Sequence, residues 1–98
     1  MSIPDEVRIG PYTYKIVYRD ELYDDQGQQL WGCVSFQEQT IKLLGPDGVS
    51  ADRQGAAFFH EVLHALMELI GQQIPEETHV ALSLVLYAFL KANGYLAR

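Results

Sequence analysis

Residues 50–71, SADRQGAAFFHEVLHALMELIG, decide how this chain is read. Ser50 suits an N-cap, Asp52 places a carboxylate in the first turn, and Gly71 suits the C-terminal cap. Between them Phe59, Val62, Leu63, Leu66, Met67 and Ile70 recur at helical spacing as one apolar stripe. The spacing predicts a single long helix, with His60 and His64 on the face away from Phe59, Val62, Leu63 and Leu66. Gly55 is unfavourable there by about 1 kcal/mol relative to Ala. Its missing side chain allows a close backbone approach about one turn before His60.

The centre of that helix, His60-Glu61-Val62-Leu63-His64, has the pattern HExxH. Residues four apart share a helix face, so His60 and His64 can hold one metal ion together. Glu61 lies about 100° around the helix. It is badly placed to join them as a ligand but can reach a water that the ion holds. Two neutral imidazoles suit zinc, which lowers the pKa of bound water to about 7. A carboxylate beside it can take the proton and return it to a leaving amine.

A catalytic zinc usually has three protein ligands. Glu68, Glu76, Glu77 and His79 are the candidates. Glu68 shares the face of His64 but lies about 6 Å further along the axis. Glu77 shares a mostly apolar face with Val80, Ala81, Leu84 and Ala88, so it is expected to point inward, where a carboxylate needs a partner. Glu76 lies with Ser83 and Tyr87 and is expected to complement the helix dipole instead. The order is therefore Glu77, then His79 and Glu76. A tight helical hairpin would set Leu82 or Ser83 level with His64. Glu77 reaches the site only if Gln72–Ile74 runs back along the first helix in extended form.

Downstream, Pro75 opens a second helix that ends near Asn93-Gly94. Upstream the period changes to two. Val7 and Ile9 alternate with Arg8, and Tyr12, Tyr14, Ile16 and Tyr18 alternate with Thr13, Lys15, Val17 and Arg19, with a turn at Gly10-Pro11. Acidic residues 21–29 read as a solvated loop whose spacing does not fit an EF-hand. Residues 30–36 and 40–44 are two further strands, and Gly45-Pro46-Asp47-Gly48 ends the sheet. The expectation is one α+β domain over 1–98: a short antiparallel sheet of three to four strands (6–44), a zinc helix (50–71) and a second helix (75–93).

The chain has 98 residues, 48% of them hydrophobic, and a formal net charge of -6. Such an acidic balance argues against nucleic acid and anionic membranes as partners. Cys33 is the only cysteine, which excludes an internal disulfide and a Cys-rich zinc cluster. It is read as a small buried hydrophobe. Met1–Glu6 lacks the pattern of a signal peptide, and no apolar run is long enough to span a bilayer, so a cytoplasmic location is expected.

The block Phe59–Leu66 resembles the zinc helix of zincin metallopeptidases. Together with Glu76-Glu77 and the Leu82-Ser83, Leu86-Tyr87 and Leu90–Asn93 positions, it is similar to small phage and prophage proteins of the minimal gluzincin type. The likeness covers most of residues 30–93. It implies a zincin-like fold, zinc held by His60, His64 and a downstream glutamate, and Glu61 as general base. It also implies an extended peptide substrate paired to an edge strand near the cleft, for which Gln39–Leu43 is the expected segment. Tyr87 and Tyr95 are the candidates for stabilising an oxyanion. The expected function is a zinc-dependent endopeptidase. The alternative is a non-catalytic, zinc-stabilised module that binds a protein through the same groove.

Overall fold

The computed structural model describes residues 3–45 and 47–96. Pro46, within the expected sheet-ending turn, lies outside them, as do Met1 and Ser2 of the leader reading. The order is β1 (Glu6–Ile9), β2 (Tyr12–Arg19), β3 (Gly32–Ser35), β4 (Thr40–Leu44), α1 (Ala51–Ile70) and α2 (Glu76–Ala92). The α+β layout is as the sequence predicts. Among the described residues no helix is long and apolar enough to cross a membrane.

The sheet is mixed, not antiparallel. Its order is β1-β2-β4-β3, and β2 and β4 run parallel, with Ile16 beside Ile41 and Tyr18 beside Leu43. The cause is the segment between β2 and β3. There Leu22 is buried, Tyr23 bridges Gln29, and Asp24 Oδ1 accepts from the N–H groups of Gln26 and Gln28, both at 2.9 Å. That segment carries the chain past one strand position. The β3–β4 hairpin then folds back, so β4 fills the gap beside β2 and β3 becomes the edge. Gln39–Leu43 is therefore not an edge segment. Ile41 and Leu43 within it are fully buried at the centre of the core.

Helix α1 forms as its caps dictate. Ser50 Oγ accepts from the Arg53 N–H at 3.1 Å. Gly71 is left-handed at φ 70°, and the N–H groups of Gly71 and Gln72 return to Glu68 and Met67 carbonyls. The buried side of α1 differs from the apolar stripe. It runs through Gly55, Phe58, Glu61, Leu63 and Ala65, while Leu66 and Ile70 are exposed. Phe58 and Ala65 join Ile9, Tyr14, Ile16, Ile41 and Leu43 in the core beneath the sheet. A small residue at 65 and a glycine at 55 let the sheet and α2 approach the helix backbone.

Helix α2 lies antiparallel on α1, with His79 against His64, Ser83 against His60 and Tyr87 against Gly55. Residues 72–75 have no regular structure and bring the chain back from the end of α1 to the level of His64. A Cβ on Gly55 would stand 2.5 Å from the Tyr87 ring, which is the close approach that glycine allows.

Candidate metal centre

His60 and His64 project from α1 toward the N-terminus of α2. The separations are 3.1 Å between their Nε2 atoms, 2.9 Å from His60 Nε2 to Glu76 Oε1, and 3.3 Å from His64 Nε2 to Glu76 Oε2. The three residues form a group able to hold a metal ion. Tetrahedral zinc with bonds of about 2.05 Å keeps its ligand atoms about 3.3 Å apart, so the spacing fits that ion.

Other side chains prepare this triangle. Ser83 Oγ donates to the Val80 carbonyl at 3.1 Å and lies 3.3 Å from His60 Nδ1. With the hydroxyl hydrogen committed to Val80, Ser83 Oγ is free to accept from His60 Nδ1, the tautomer that would leave Nε2 to ligate a metal ion. Burial, then the nearby His79 and His60, hold the His64 pKa below its usual value, which keeps that ring neutral and able to ligate.

Glu76 fills the place expected for Glu77. Glu76 lies near the azimuth of Ser83 and Tyr87, the face α2 turns to α1, whereas Glu77 is turned about 100° away. Glu77 is exposed and outside the group. The expectation followed hydropathy, and hydropathy misleads here. The residues α2 buries are His79, Ser83 and Tyr87, while Val80 and Leu84 are exposed. The same polar series, continued back from Tyr87 through Ser83 to Glu76, was the available signal.

His79 is near the centre but not among its donors. It is only 2% exposed, and neither ring nitrogen has a hydrogen-bond partner. Its ring packs on that of His64 with centroids 3.7 Å apart. Burial lowers its pKa, so it is a neutral packing partner that fixes the His64 ring. Glu68, the remaining candidate ligand, is exposed and lines a separate pocket.

Glu61 is 6% exposed and lies under β3. Gly32 makes the room, since a Cβ there would stand 3.3 Å from Glu61 Cγ. Burial first, and the charge of Glu76 second, push the Glu61 pKa up to about 8 in the metal-free protein. Burial and Glu61 also push the Cys33 thiol up, which leaves it protonated. Cys33 is half-buried in the cleft wall.

These groups open into a cleft of about 1120 Å³ between β3 and α2, walled by Trp31, Val34, Val80 and Leu84. Arg53 stacks over Trp31 at 4.4 Å on its rim. Neither tyrosine expected to stabilise an oxyanion serves from here. Tyr87 Oη donates to Asp52 at 2.8 Å, and Tyr95 is exposed and packs beside Phe89.

The chain matches no family model, no curated protein and no solved structure.

Proposed function

We propose that this chain is a zinc-dependent endopeptidase that takes its substrate as an extended strand against β3. One observation carries the reading: Glu61 is buried beside the convergent His60, His64 and Glu76 at the floor of an open cleft. A structural zinc site is normally closed by four protein ligands. Here the described residues supply three, and the third, Glu76, is largely exposed.

When bound by His60, His64 and Glu76, zinc supplies Lewis acidity that polarises a carbonyl and acidifies water. The other roles belong to the chain. Ser83 and His79 orient the two imidazoles. Glu61 accepts a proton at its carboxylate and delivers it to the departing amine. The outer edge of β3, unpaired within the sheet, offers backbone groups to an extended peptide. Val80 and Leu84, exposed in the cleft, offer apolar contact to its side chains.

The test is metal analysis beside peptide hydrolysis. Wild-type protein is expected to bind one zinc per chain and cleave peptides, while Glu61→Gln keeps the zinc and loses hydrolysis. Wild-type protein without stoichiometric zinc, even after reconstitution, would overturn the proposal. One observation favours a second reading, a zinc-stabilised binding module: the Tyr87 hydroxyl is bonded to Asp52 and Tyr95 packs beside Phe89. Under that reading no peptide is cut and Glu61→Gln leaves partner binding unchanged.

A further inference from the structure

A second cavity of about 290 Å³ lies between the C-terminal half of α1, the start of β2 and the β3–β4 turn. Tyr12, Tyr14, Phe36, Gln39 and Glu68 line it. It is too small for most drug-sized ligands and suits a single side chain. We infer that this pocket is a specificity subsite that receives an arginine or lysine side chain of the peptide bound in the cleft. The inference rests on the peptide-binding reading above and names the class of peptide.

Position supports it. Phe36 lines both this pocket and the metal cleft, so the two are neighbours. Glu68 follows His64 by one helical turn, about 6 Å along α1. An extended peptide advances about 3.3 Å per residue, so a residue about two positions from the reacting bond comes level with Glu68.

Chemistry supports it too. Three aromatic rings surround the cavity, and such faces attract guanidinium and ammonium groups. Tyr14 is almost wholly buried and forms the floor, while Tyr12 and Phe36 are exposed at the rim. Glu68 supplies a carboxylate, and among the described residues no cation lies within 4 Å of it. Its charge reaches the floor: after burial, Glu68 is the main cause of the raised Tyr14 pKa. The net charge of -6 favours the approach of a cationic peptide.

The experiment is a heteronuclear NMR titration of the full chain, with and without zinc. The probes are N-acetylated, C-amidated Ala-Arg-Ala and its citrulline and norleucine counterparts. The arginine peptide is expected to shift the amides of Tyr12, Tyr14, Phe36 and Gln39 and to bind about fivefold tighter than the citrulline peptide. Glu68→Gln, an exposed change, should remove that preference and leave citrulline binding as it was. Equal binding of the citrulline or norleucine peptide overturns the inference. So does an unchanged arginine preference in Glu68→Gln, or the absence of shifts at those four amides. Failure of the peptidase reading looks different: zinc does not bind, or no peptide is cut, while arginine-selective shifts persist.

Discussion

The molecule has two interiors of opposite chemistry. Between the sheet and α1 the filling is apolar apart from Glu61 under β3 and the Tyr14 hydroxyl, with Ile41 and Leu43 wholly buried among Ile9, Ile16 and Phe58. Between α1 and α2 each residue that α2 buries carries a polar atom: His79, Ser83 and Tyr87. The first interior is closed by removal of apolar area from water, at about 25 cal/mol per Å². The second relies on hydrogen bonds worth about 1 kcal/mol each and on ring packing. It also contains a histidine without partners. The sheet and α1 thus define the fold, whereas α2 is held by polar contacts that run up to the group able to hold a metal ion at its N-terminus.

The largest test of that contrast is His64→Ala. Zinc at about a thousand times its Kd should stabilise wild-type protein by about 4 kcal/mol, and His64→Ala should gain almost nothing. Thermal unfolding with and without zinc reads this directly, and equal gains in both proteins would break the comparison. Leu43→Ala comes next. It should cost about 3 kcal/mol in metal-free and zinc-loaded protein alike, measured by urea unfolding. A loss confined to one form would mean the two interiors are not separate.

Gly55→Ala acts on the seam from its far end, where the new Cβ meets the Tyr87 ring. A cost of about 2 kcal/mol is expected. Zinc affinity should fall with it, because the displaced helix carries Glu76. A titration showing unchanged affinity would show that α2 does not set the third ligand.

A fourth test is one of pH in metal-free protein. The folded pKa of Glu61, about 8, lies above the ordinary 4.5. The folded state therefore holds this proton more tightly than the unfolded state does. The stability it confers is complete below pH 4.5 and is lost as pH rises through 8. The melting temperature of wild type should fall over that range relative to Glu61→Gln, which has no proton to lose. Parallel curves for the two proteins would remove Glu61 as the source of this pH dependence.

Much of this was legible because it is local. Ser50 and Gly71 cap α1 as expected, and His60 and His64 converge because helical spacing alone puts them together. Strand alternation located all four strands but could not give their order. Whether β4 runs with or against β2 depends on the path of residues 20–31, which no periodicity records. The sequence points to Glu77 in place of Glu76 for a related reason. Hydropathy assumes that a helix buries its apolar face, and α2 turns its polar face inward because that face serves the centre. The room for Glu61 under Gly32 comes from a pairing distant in sequence.

The mixed sheet bears on how the cleft is made in time. The β3–β4 hairpin closes over only the four residues between Ser35 and Thr40, and pairings of that kind form within about 1–10 μs. The parallel β2–β4 ladder must close a far longer loop, the slower kind of event. The cleft wall can thus exist as a local hairpin before the strand that locks it into the sheet arrives. Docking of β2 is the step expected to limit the rate, and it lies outside the metal centre.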